Sequence, residues 1–106
     1  MNTKVYAEAK EFRIEILKVL QNIKHDKVIS DQLNRASLSI ILNIAEGFGR
    51  FHNSDKRNFY VNARGSVFEC IACLDIIFDS QIPDELMQTA TELGKMLSGL
   101  IKSFSS

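Results

Sequence analysis

Apolar residues recur along this chain at spacings of three and four, in four blocks separated by short polar or glycine-containing breaks. In the first block Val5, Ala9, Phe12, Ile16, Val19/Leu20 and Ile23 share one stripe, which predicts a helix from about Thr3 to about Lys24. Lys4, Lys10, Glu11, Glu15 and Lys18 fill its other side, a solvated face in which acids and bases alternate rather than a membrane-surface helix. His25-Asp26-Lys27 reads as the break, with Asp26 or Ser30 as the cap of a second helix reaching Gly47–Gly49. That second helix is apolar almost all the way round, through Leu33, Ala36, Leu38, Ile40, Ile41, Leu42, Ile44 and Ala45. A helix of this kind is buried on more than one side, and in a bundle of four it points to a partner subunit.

Gly47-Phe48-Gly49 stops the second helix, and Arg50-Phe51-His52-Asn53 connects it to a third. Ser54 is the expected N-cap, with Asp55 in the first turn, where the helix dipole favours an acid. The third helix runs to about Phe78 with Phe59, Ala63, Val67, Cys70, Leu74 and Ile77 inward, widened by Tyr60, Phe68, Ile71 and Phe78. Asp79-Ser80-Gln81 makes a turn, and Pro83 suits the first position of the last helix, followed by Asp84 and Glu85. Leu86, Ala90, Leu93, Leu97, Leu100 and Phe104 then form a heptad seam. Short connections between long amphipathic helices imply an all-α, antiparallel up-down four-helix bundle, one domain over residues 1–106.

Composition narrows the function classes. Thirteen Lys/Arg cancel thirteen Asp/Glu, with a pI near 6.7, so the global basic excess of most nucleic-acid binders is absent. Net charge says nothing of distribution, and a local patch stays open. The amino terminus leads straight into a charged amphipathic segment, no apolar run reaches membrane-spanning length, and the two cysteines lie three apart. These features predict a cytoplasmic protein without a membrane partner.

Few residues could carry chemistry. Cys70-x-x-Cys73 sits mid-helix, where two thiols read as small hydrophobes rather than a redox or zinc pair; the other soft ligands, His25 and His52, fall in separate connections. No nucleophile stands with a base and an orienting acid, and Gly47-x-Gly49 lacks the strand and lysine of a phosphate loop. The expectation is no catalysis, no cofactor and no metal. More informative are two polar rows. One holds Arg35, Ser39, Asn43, Glu46, Gly47 and Arg50, the other Asn58, Asn62, Gly65, Ser66 and Glu69. Facing each other, they read first as a buried polar network of Arg35, Asn43, Glu46, Asn62, Ser66 and Glu69 that fixes helix register, and second as a ligand or enzymatic site around Asn43, Glu46 and Glu69. A subunit interface is the third reading. Arg50, Lys56, Arg57 and Arg64, interleaved with Phe51, Phe59 and Tyr60, read as ordinary surface charge beside core aromatics or as nucleic-acid contacts.

Gln32-Leu33-Asn34-Arg35-Ala36-Ser37-Leu38-Ser39-Ile40, Asn43-Ile44-Ala45-Glu46-Gly47, Ala63-x-Gly65-Ser66-x-x-Glu69 and Lys95-Met96-Leu97-x-Gly99-Leu100-Ile101 together carry a resemblance. They are similar to the bacterial four-helix-bundle proteins encoded in intervening sequences of large-subunit ribosomal RNA genes. That fold family includes the accessory variability protein of diversity-generating retroelements. The resemblance implies an up-down bundle assembled as a ring-like homopentamer without enzymatic activity. Through the strongly basic retroelement relatives it also implies RNA or a reverse transcriptase as partners. The zero net charge of this chain departs from those relatives.

Overall fold

Each of the four apolar blocks folds as one helix: α1 (Lys4–Asn22), α2 (Lys27–Gly49), α3 (Asn53–Ile77) and α4 (Asp84–Ser103). The computed structural model describes residues 3–22 and 27–105. Of the expected break at His25-Asp26-Lys27, Lys27 is the first residue of α2, while His25 and Asp26, with the cap expected at Asp26, lie outside the described residues.

Local chemistry sets the helix ends. The Thr3 hydroxyl accepts the amide of Tyr6, a side-chain cap at the start of α1. Ser30 lies inside α2 and does not cap it. Ser54 is likewise not a cap: α3 begins one residue earlier, at Asn53, and His52 in extended conformation takes the N-cap position without a side-chain bond. Pro83 stands just before α4, where its missing N–H costs nothing. Between α3 and α4, Asp79 and Ser80 both adopt positive φ, 49° and 66°, which reverses the chain within a few residues.

Four cross-helix hydrogen bonds define the topology. Gln32 meets Glu69 and Ser39 meets Ser66, so α2 and α3 run in opposite directions; Arg57 meets Ser105 and Arg64 meets Ser98, so α3 and α4 do too. Helix α1 packs on α2 and α4 and closes a square bundle measuring 43 × 23 × 21 Å. The antiparallel four-helix bundle read from the periodicity is the observed fold.

One core runs through all four helices, with Phe12, Ile16, Leu33, Ile40, Ile44, Leu74, Leu93 and Leu97 inaccessible to solvent. The α1 stripe from Val5 to Ile16 and the first four positions of the α4 heptad are buried as the spacing predicts, while Val19, Leu20, Leu100 and Phe104 are half-buried and Ile23 lies outside the described residues. Phe68 is the clear departure. Its spacing predicts that it widens the inward stripe of α3, yet it is 61% exposed. It lies at the far edge of that stripe, opposite the small residues Ala90 and Gly94, which cannot reach out to cover it.

Candidate functional site

The polar rows of α2 and α3 do come together, but along an open seam. Only Gly47 and Ser66 are buried; Ser39 and Asn43 are half-buried, and Arg35, Glu46, Asn62 and Glu69 are exposed. Two bonds cross the seam, from Gln32 Nε2 to Glu69 Oε2 at 2.6 Å and from Ser66 Oγ to Ser39 Oγ at 2.9 Å. The remaining bonds stay within a helix: Asn43 Nδ2 donates to Ser39, Arg50 pairs with Glu46 at 3.0 Å, and Arg35 reaches Gln32 rather than an acid. The Asn62 carbonyl accepts from Ser66, while no bond of the Asn62 side chain is seen among the described residues. The buried network of six residues is therefore replaced by a small serine contact with solvated pairs on either side. Small residues at the seam let the backbones approach, and solvent satisfies the rest. Asn43, Glu46 and Glu69 each have a separate partner, so they do not converge on a shared ligand.

Arg13 makes a pairing that no spacing foretells. Its Nη1 donates to the Asn34 carbonyl and to Ser37 Oγ, both at 2.8 Å, tying α1 to α2 around the one fully buried polar side chain of the described core. A single arginine at the edge of an apolar stripe carries no periodic signal by which to find it.

The four basic candidates separate into different roles. Lys56 Nζ donates to the carbonyls of Gly47 and Phe48 at 3.2 and 2.9 Å and lies over the rings of Phe48 and Phe104. It closes the C-terminal end of α2, where unpaired carbonyls favour a cation. Arg50 is bound to Glu46 and stacks 4.7 Å above the ring of Phe59 on the α2–α3 side. Arg57 and Arg64 face α4 instead, through Ser105 at 2.8 Å and Ser98 at 3.2 Å. At the tip of the α2–α3 connection Phe51 is 88% exposed and packs edge-on against His52.

Both cysteines are buried free thiols. Burial, the neighbouring Cys73 and Glu69 push Cys70 up to about 12, and burial likewise raises Cys73. Neither is poised as a thiolate ligand or nucleophile. Among the described residues no group of three or more His, Cys, Asp or Glu side chains is placed to hold a metal ion. Among them, too, no helix is long and apolar enough to cross a membrane.

No curated protein matches the chain. A solved structure from Bacteroides thetaiotaomicron VPI-5482, described as a protein of unknown function from the S23 ribosomal protein family, superposes with a TM-score of 0.83 at 25% identity, covering 92% of this chain and 98% of that one. The family model for the 23S rRNA-intervening sequence protein matches residues 1–99. With nearly the whole chain matched by that model and its bundle shared with the S23 structure, the chain belongs to the 23S rRNA-intervening sequence protein family.

Proposed function

We propose that this chain is a non-catalytic, homo-oligomeric binding and scaffold protein. The observation that carries the reading is the outward side of α2. Leu38 and Leu42 are 41% and 54% exposed, and with Ala45 and Gly49 they make a continuous apolar stripe on a helix whose opposite side already fills the core. Half-buried Ile41 extends that stripe towards α1. An apolar strip of this length on a small domain marks an association surface. A second copy of the chain is its natural occupant, and the ring-like homopentamer implied by the family resemblance is the assembly we favour. Closed rings of identical subunits present several copies of every other surface, so weak contacts with RNA, or with a nucleic-acid enzyme such as a reverse transcriptase, would be multiplied. A ligand-binding or enzymatic bundle built on Asn43, Glu46 and Glu69 gains no support, because those side chains are spread along the seam and individually paired.

Light scattering tests this directly. At micromolar concentration the wild-type chain should have several times the mass of its 12.0 kDa protomer, and Leu38→Glu/Leu42→Glu should collapse it towards that value. A wild-type monomer would overturn the proposal.

A further inference from the structure

The zero net charge of the chain conceals a separation of charge along α3 and α4. Helix α3 carries Lys56, Arg57 and Arg64 against the single acid Asp55 in its first half, and Glu69 and Asp75 in its second. Helix α4 runs the other way, with Asp84, Glu85 and Glu92 before Lys95 and Lys102. Because the two helices are antiparallel, the basic half of one lies beside the basic half of the other, as the contacts Arg64–Ser98 and Arg57–Ser105 establish.

Helical spacing sharpens this into a single face. Arg57, Arg64 and Phe68 share a stripe on α3, and Lys95, Ser98 and Lys102 share the facing stripe on α4. Each pair of cations is seven residues apart, about 10.5 Å along its helix at 1.5 Å per residue. Asp55 lies on the opposite side of α3. Glu92, the nearest acid on α4, forms no ion pair with Lys95 among the described residues. Among the described residues Arg57 uses its Nε–H on Ser105 and Arg64 one Nη1–H on Ser98, so each guanidinium is held in place by a serine and keeps donors for an anion. Beside Lys95 and Ser98 lies a hollow of about 400 Å³, walled by Phe68 and floored by Val67, Ala90 and Gly94.

We infer that this α3–α4 face binds single-stranded nucleic acid, with Arg57, Arg64, Lys95 and Lys102 on phosphates and the ring of Phe68 stacking an unpaired base. A row of cations on each helix, with one exposed aromatic at the end of the α3 row and beside Lys95, provides the charge track and stacking platform that a single strand requires. An anionic membrane would need a broader apolar surface than Phe68 with the half-buried Ile71 and the edge of Met87 provide. The inference rests on the reading of the protein as a binding scaffold. It uses a different side of the bundle from the α2 stripe, so self-association and strand binding are compatible.

The test is fluorescence anisotropy with a labelled oligouridylate of about 15 nucleotides, within the usual site size of such surfaces. Binding should weaken with salt with a log–log slope no steeper than about −2.8, four phosphates at about −0.7 each. Arg57→Glu/Lys95→Glu should lose about tenfold or more in affinity and flatten that slope. Phe68→Ala should lose about fivefold or more and leave the slope unchanged, because stacking releases no counterions. Lys18→Gln, towards the other end of the bundle, should bind as wild type. Absence of binding at about 50 mM salt overturns the inference. So does wild-type affinity in the double charge reversal with its helices intact by circular dichroism, or binding to phosphatidylserine vesicles without binding to the oligonucleotide. A monomer that still binds the strand would sink the oligomeric scaffold and leave this face standing.

Discussion

Gly47 of α2 and the ring of Tyr60 on α3 meet with no room for a side chain between them: a Cβ at position 47 would lie 2.8 Å from Tyr60 Cε1 and 3.1 Å from Phe59 Cβ. Tyr60 is buried and tilted against Phe104, so its ring cannot swing away without disturbing the end of the core. Gly47→Ala should therefore destabilise the bundle by about 1–3 kcal/mol, the usual cost of overpacking. At Gly65 and Gly99 an added methyl group would meet nothing within 4 Å, so Gly65→Ala and Gly99→Ala should each stabilise by about 0.5–1 kcal/mol. Thermal melts of the three variants would show opposite signs, and a neutral Gly47→Ala would refute the close approach.

Lys56 separates a stability role from a binding role. Its ammonium holds the carbonyls that end α2, so Lys56→Met should cost about 1–2 kcal/mol through two lost charge-assisted bonds and the lost helix-end interaction. The same variant should leave oligonucleotide affinity within about twofold, because Lys56 is directed into the end of the bundle and not onto the α3–α4 face. Urea unfolding and anisotropy on the same sample check both halves of the prediction.

The architecture is legible because helical period is written into the apolar positions. The α4 seam from Leu86 to Leu97 and the α1 stripe from Val5 to Ile16 both lie in the core. What periodicity does not report is how far a neighbouring helix reaches across. Phe68 has the hydrophobicity of a core residue and lies outside because Ala90 and Gly94 opposite it are too small to cover it. The seam of Ser39, Asn43 and Ser66 is visible as spacing, but its exposure depends on how α2 and α3 splay, which no single-helix pattern encodes. Lys95 and Lys102 carry no signal that links them to Arg57 and Arg64, although both pairs are seven residues apart. Only the antiparallel pairing of α3 with α4 brings the pairs together.

Glu15 makes stability depend on pH with an unusual sign for a carboxylate. Its Oε2 is shielded from water and has no hydrogen-bond partner among the described residues, and its pKa is raised, first by desolvation and then by Glu11, Glu85 and Glu8 against the opposing Lys18. A group whose folded-state pKa lies above its unfolded value favours the folded state when protonated. This contribution is complete below the ordinary carboxylate range and is lost as pH rises through the higher folded value. At pH 7 the ionised side chain is a burden, so Glu15→Gln should stabilise by no more than about 1 kcal/mol for a half-exposed site. The gain should shrink as pH is lowered towards about 4. Melting temperatures of wild type and variant across that range would decide it, and an advantage that grew on acidification would contradict the assignment.

Cys70 and Cys73 give a readout of global opening. Cys70 is wholly buried and Cys73 nearly so, and both thiols are held above their ordinary pKa by burial. Thiolate attack on an aromatic disulfide reagent at about pH 8 therefore has to wait for the helices to separate. In native conditions neither thiol should react on the timescale of the free amino acid, and both should react together once the bundle unfolds in urea. The logarithm of the labelling rate measured in Gly47→Ala should rise in proportion to its loss of stability, about tenfold for each ~1.4 kcal/mol, because exchange through an open state follows its population when reclosing is fast. One thiol reacting rapidly in the folded protein would instead mean that α3 opens locally around positions 70–73, and the thiols would then report that segment rather than the whole bundle.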